Sequence, residues 1–119
     1  MFYNDQPPDM IFYQGLARQK LGQSNEAAQI FQRLVDFGRQ HVNDEVLMDY
    51  FAVSLPDFLV FEDDLTQRNR IHCHYMMALG YLGLGDQGQA RSHFEQVLGM
   101  ESNHFGAHAH KRYLEPEQV

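Results

Sequence analysis

The sequence predicts an all-α fold in which two helical hairpins stack as a short α-α superhelix and a further helix closes the C-terminal end. Apolar residues recur at helical spacing along most of the 119 residues. One pattern also occurs twice: a small residue, then Gly seven positions later, Ala five after that and Phe four after that. The two copies are Gly15, Gly22, Ala27 and Phe31, and Ala78, Gly85, Ala90 and Phe94.

Each copy predicts one helix–turn–helix unit. The central Gly can adopt the left-handed conformation that ends a helix, and the Ala and Phe that follow lie four residues apart on one face of the next helix. The first unit spans 8–41, with helices from Asp9 to about Leu21 and from a cap at Ser24 or Asn25 to about Gln40. The second unit spans 71–104.

This doubled pattern resembles the tetratricopeptide repeat, a 34-residue helical hairpin with an Ala-x3-Phe signature. Tyr81 matches the aromatic residue that the family carries on its first helix, whereas Arg18 stands at that position in the first copy. The family's Trp is replaced by Ile11 and His74, and the Pro that closes its repeats is absent from both copies. Two such units would cover 68 of the 119 residues.

The two copies are not in tandem. Their turn glycines are 63 residues apart (85 minus 22), whereas a tandem array needs 34, so about 29 residues are inserted over 42–70. The insert predicts a helix from 43–45 to about Ala52 and a new turn or short helix at Pro56. Asp64 is predicted to be the N-cap of a long helix from Leu65 to Leu84.

The aromatic-rich stretch 50–61 within the insert is too apolar to remain in water. It either packs against the repeats and fills their groove, or stays exposed as a docking surface. After it, a helix is expected from Gln87 to Leu98 with Gly99 closing it, followed by a capping helix over 105–115 that starts near His104.

The resemblance implies a concave groove, lined by the first helix of each unit, that receives a partner protein. We call these positions the groove face: Asp9, Phe12, Leu16, Gln19, His72, Tyr75, Leu79 and Leu82. The face is largely apolar, so it lacks the Lys and Asn with which some tetratricopeptide domains hold a partner's terminal carboxylate. The expected role is a non-catalytic protein-interaction module.

Composition excludes several other classes of function. A formal net charge of −7 argues against a nucleic-acid partner, which clustered Lys and Arg would bind. No apolar run approaches the roughly 18 residues of a membrane span, and the start of the chain lacks the features of a signal peptide. A single cysteine, Cys73, permits no internal disulfide, which is typical of a cytoplasmic protein.

The histidines suggest a metal site, and Cys73 and the acidic run suggest catalysis, but neither pattern predicts a metal, cofactor or catalytic residue. His104 and His108 are four apart on a helix, but His72 and His74 point to different sides, and no CxxC or HExxH pair is present. Cys73 is expected to be buried and inert. The acidic run 62–64 is explained by helix capping more simply than by a carboxylate cluster.

A longer resemblance involves the stretches 44–61, 68–73 and 77–86, which are similar to the C-terminal end of a family of large bacterial tetratricopeptide proteins. In that family a β-rich domain of unknown function, resembling galactose-mutarotase-like sugar enzymes, precedes the repeats. The resemblance implies that the chain is a C-terminal fragment that packs against its upstream domain, binds another protein or self-associates. The alternative it implies is an accessory part of a carbohydrate-acting enzyme, in which Glu62, Asp63, His72 or His74 would reach a ligand.

Overall fold

The computed structural model describes residues 7–44 and 56–114, with side chains from Leu65 onward in the second range. All regular structure within these ranges is helical, which confirms the all-α prediction. None of the described helices has the length and apolar character needed to cross a bilayer. The helices are α1 (Pro8–Lys20), α2 (Ser24–His41), α3 (Pro56–Leu84), α4 (Gln87–Met100) and α5 (Phe105–Lys111).

The two turns predicted from the glycines form in the same way. Gly22 has φ 78° and Gly85 has φ 87°, the left-handed region in which only glycine is unstrained. After each glycine, the next amide donates to the carbonyl five residues back: Gln23 to Arg18 at 2.9 Å, and Asp86 to Tyr81 at 2.9 Å. The repeated sequence pattern therefore gives a repeated backbone geometry.

Helix starts agree less well with the predictions. Asp86 is a true N-cap, since its side chain accepts from the Gln89 amide at 3.2 Å. The predicted cap at Ser24 or Asn25 is wrong, because α2 begins at Ser24 and the N-cap position is Gln23, without a side-chain hydrogen bond. His104 caps α5, accepting from the Ala107 amide at 3.0 Å, and α5 ends at Lys111 rather than near 114.

The long third helix differs most from its prediction. It begins at Pro56 and continues without interruption to Leu84, so Asp64 lies inside the helix and is not an N-cap. No Gly or Pro stands between Pro56 and Gly80, so nothing in the backbone ends the helix once Pro56 has started it. Likewise α4 runs through Gly99 to Met100. The helix predicted over 43–52 does not include Asn43, which lies in a turn, and its remainder falls mainly outside the described residues.

The core lies between the hairpins. The Ala and Phe of both copies (Ala27, Phe31, Ala90 and Phe94) are fully buried, as the repeat pattern predicts. Helices α2 and α3 cross so closely that a Cβ on Gly80 would lie 2.6 Å from the Phe31 carbonyl oxygen. A Cβ on Gly38 would lie 2.6 Å from the Cys73 carbonyl oxygen, which explains a glycine in the middle of α2.

Candidate functional site

The residues predicted to form the groove face lie on α1 and α3, two helices that pack along a shared seam. Its two ends are joined by hydrogen bonds: the Tyr75 hydroxyl donates to Asp9 Oδ1 at 2.6 Å, and Gln19 Nε2 donates to the Gly83 carbonyl at 3.3 Å. The predicted residues differ widely in exposure. Phe12, Tyr75 and Leu79 are buried; Leu16, His72 and Leu82 are half-buried; and Gln19 is exposed.

Helix α5 covers part of the groove face. The His110 ring meets the Phe12 ring edge-on, with centroids 5.6 Å apart, and the Tyr113 ring meets it at 6.0 Å. On the other side of the seam the Tyr75 and His104 rings are 4.8 Å apart. The segment that covers the groove face is therefore α5 of the same chain. Whether the insert also packs there depends on residues 45–55, which lie outside the described part.

A hydrogen-bonded network joins α5 to the groove face, and its geometry fixes the proton positions. His110 Nδ1 lies 2.9 Å from the Gly106 carbonyl, which can only accept, so Nδ1 carries the proton. His110 Nε2 then accepts from the Tyr13 hydroxyl at 2.7 Å. The Tyr75 hydroxyl, which donates to Asp9, lies 3.1 Å from Nδ1 and can accept a share of its proton. Every buried side-chain polar group in this network thus has a hydrogen-bond partner.

The network is suited to holding a helix rather than to chemistry. Burial raises the pKa of Tyr75 far above its ordinary value, and the hydrogen bond to Asp9 adds to the shift. The hydroxyl therefore stays protonated throughout the physiological range and does not act as a base. Its hydrogen bonds instead give α5 one fixed position across α1 and α3.

A second group of polar rings lies between α3 and α4. His74 Nδ1 and His93 Nδ1 are 3.0 Å apart, so one donates to the other, and the His93 ring stacks on Tyr81 at 5.6 Å. Arg39 of α2 donates to the Tyr81 hydroxyl at 2.7 Å. Burial lowers the pKa of both histidines, Arg70 adds to the effect on His74, and His74 and Arg39 add to it on His93.

Because the pKa values of these histidines are lowered, we expect the free energy of unfolding to decrease in acid. Their folded-state pKa values lie below the ordinary 6.5, as does that of His72, so the unfolded chain binds protons more readily. The contribution of these histidines to the free energy of unfolding is therefore complete above pH 6.5. It is lost as the pH decreases toward their lowered folded-state pKa values. Urea unfolding of His93→Gln should show a smaller loss between about pH 7 and pH 5 than the unmodified chain. An equal loss for His93→Gln and for the unmodified chain over this pH range would contradict the account.

The sequence alternatives based on metal or thiol chemistry find no geometric support. His104 binds the Ala107 amide, and His108 Nε2 lies 2.8 Å from the Ser102 carbonyl, so these two rings serve the backbone around α5. Over residues 7–44 and the described side chains of 65–114, no three His, Cys, Asp or Glu residues converge as metal ligands. Cys73 is fully buried, as predicted, and burial raises its pKa to about 11, which disfavours the reactive thiolate.

A separate concavity of about 250 Å³ lies beside the groove face. It opens between α1 and α2, and its polar side chains are Gln14 and Arg33. One cation and one amide on an apolar wall provide neither an acid–base pair nor a ligand set, so this concavity adds no chemistry to the site. Its lining residues are Ile11, Gln14, Ile30, Arg33, Leu34, Phe37 and Met76.

Sequence reasoning missed four residues of the site: Tyr13, His93, Gly106 and His110. Tyr13 and His93 carried no signal, because neither belongs to the repeated pattern. A weak signal existed on α5, where Gly106 and Ala107 give a small-residue patch and His110 and Leu114 follow on the same side. That pattern indicates close packing against another helix but does not say which one.

Comparison with known proteins supports the first hairpin. A tetratricopeptide repeat family model matches residues 9–36, which include most of α1 and α2. No solved structure matches the chain. Tetratricopeptide repeats generally mediate protein–protein interactions and are typically non-catalytic, so the match favours an interaction module.

Proposed function

We propose that this chain is a non-catalytic interaction module that packs against another part of a larger protein, and that its groove face holds a short helical segment. One observation carries the proposal: the groove face already holds a helix, α5, through a buried aromatic surface and a complete hydrogen-bond network. Insertion of a helix into an apolar groove is a common mode of protein recognition.

An exposed patch beside the occupied groove supports binding to a further surface. Met10 and Tyr13 lie three residues apart on α1, and Tyr113, which follows α5, forms a side-chain hydrogen bond with Tyr13. About half of each side chain is exposed: 51% for Met10, 44% for Tyr13 and 51% for Tyr113. We propose that the upstream part implied by the family resemblance covers this patch.

Titration calorimetry between the chain and the separately expressed upstream polypeptide tests this proposal. Association should show a negative heat-capacity change, because apolar surface is buried. The paired change Met10→Glu and Tyr113→Glu should weaken association at least about tenfold, since each buried charge opposes burial of the patch. Leu21→Glu, at a 71% exposed position at the other end of α1, is the matched control and should have no effect. Absence of association, or equal effects of both changes, would argue against this docking surface.

The accessory role in a carbohydrate-acting enzyme remains a prediction from the resemblance alone. His72 lies near His104 at the groove, whereas His74 pairs with His93 on the α4 side, so the two histidines do not converge. The side chains of Glu62 and Asp63 are outside the described part. No arrangement of the described residues forms a sugar site, and we propose no second function.

A further inference from the structure

Helix α5 lies beside α4, where Lys111 pairs with Glu95 at 3.8 Å, and turns one side toward the groove face. It has seven residues and follows the turn at 101–104. Ala107, His110 and Leu114 are 0%, 3% and 7% exposed, whereas Phe105 is 83% exposed. Ala107 and His110 lie three residues apart on one side of α5, and Leu114 follows four residues later in the bend after the helix.

This side of α5 and the bend after it have a defined chemical pattern. A Cβ on Gly106 would overlap the hydroxyl and ring of Tyr75, so only glycine allows this approach. Ala107 is the second small residue, and His110 is positioned to accept from Tyr13 while its other nitrogen faces Tyr75. Leu114 supplies the final apolar contact. The pattern is therefore small–small–x2–His–x3–Leu, beginning at Gly106.

Two features favour departure of α5 from the groove face. A seven-residue helix is marginal by itself, so α5 depends on its seat and on the covalent tether that keeps it near. The short segment that links α5 to α4 holds α5 at a local concentration of roughly millimolar. A free partner can displace α5 only if it binds more tightly or if the packing of α5 is weakened. The polar groups that α5 releases (Asp9, Tyr13 and Tyr75) can be solvated by water, so departure leaves no unpaired buried group.

We propose that α5 is a displaceable occupant of the groove and that the external partner is a short helical segment with the same small–small–x2–His–x3–Leu pattern. This inference rests on the proposed function only in taking the groove face as a helix-binding surface. It adds the chemistry of the partner and a mechanism of self-occupation: a partner binds in proportion to the fraction of molecules from which α5 has departed.

A peptide of residues 102–114 with a fluorescent label tests the inference by anisotropy. In the unmodified chain α5 competes with it, so binding should be weak. With Gly106→Val made in the chain itself and not in the peptide, α5 cannot pack against Tyr75. This variant should bind the peptide at least about tenfold more tightly than the unmodified chain does. Full-length Gly99→Val introduces the same side chain where no atom lies within 4 Å, and should bind like the unmodified chain. A peptide with His110→Ala should lose at least about tenfold of the affinity for Gly106→Val.

Circular dichroism of Gly106→Val must first show helices α1 to α4 intact. Should that variant fail to fold, full-length His110→Ala replaces it, because it removes the bonds to Tyr13 and Tyr75 without adding bulk. The inference would be overturned if the peptide bound equally to the unmodified chain and to the variant in which α5 cannot pack, or if it did not bind to that variant. Self-association of that variant without peptide binding would also overturn the inference, because the groove face would then bind a second copy of the chain and not the peptide. Either failure leaves the calorimetric test of upstream docking unaffected, so the two proposals can fail separately.

Discussion

Replacing Phe31 with Ala should lower the free energy of unfolding by about 3–5 kcal/mol. Its ring is fully buried, packs against the Phe12 ring with centroids 5.8 Å apart, and fills the space left by two glycines. Added Cβ atoms on Gly15 of α1 or Gly83 of α3 would both overlap the Phe31 ring. One side chain of α2 thus holds α1 and α3 together, and its loss would leave a cavity that neither backbone can close.

Urea unfolding followed by circular dichroism measures this effect. Phe105→Ala is the matched control, because its ring is 83% exposed and its removal should change stability by less than about 0.5 kcal/mol. A loss below about 1 kcal/mol for Phe31→Ala would show that α1, α2 and α3 do not share this packing site.

Gly80→Ala should destabilise the protein by about 1–3 kcal/mol, although Ala is intrinsically the better helix former by about 1 kcal/mol. The new methyl group would lie 2.6 Å from both the Phe31 carbonyl oxygen and a Val35 methyl carbon. The carbonyl belongs to the α2 backbone and cannot rotate away. The two helices must therefore separate, which weakens the packing along their whole crossing.

Gly99→Ala should change the stability of the protein in the opposite direction. It makes the same change inside a helix, but no atom lies within 4 Å of the added methyl group. Only the propensity gain remains, so stability should rise by up to about 1 kcal/mol. The comparison isolates the helix crossing, because equal effects at both positions would mean that α2 and α3 do not approach closely at Gly80.

The repeat pattern predicted the parts of the fold that depend on local geometry. Gly22 and Gly85 end helices because the left-handed conformation is a property of glycine itself. Phe31 and Phe94 are buried because a small residue four positions earlier lets the paired helix approach. Both relations involve residues within about 20 positions of one another, so the periodicity and spacing of the sequence are sufficient to predict them.

What the sequence did not predict depends on competition between distant parts. Asp64 by itself favours an N-cap over a helix interior, but the helix that starts upstream at Pro56 overrides this preference. The repeat pattern assigned the groove face to the helices that became α1 and α3, but it could not show that α5 would cover Phe12 and Tyr75. That choice depends on the shape of a surface that exists only after both hairpins have formed.

The central claim is that α5 occupies the groove face in solution, and nuclear Overhauser contacts in the full chain test it most directly. The claim predicts contacts from the Tyr75 ring to the Gly106 α-protons and from the Phe12 ring to the His110 ring. The same spectra should show helical chemical shifts over Phe105–Lys111. Random-coil shifts there, with no contact to either ring, would contradict the claim and leave the groove open.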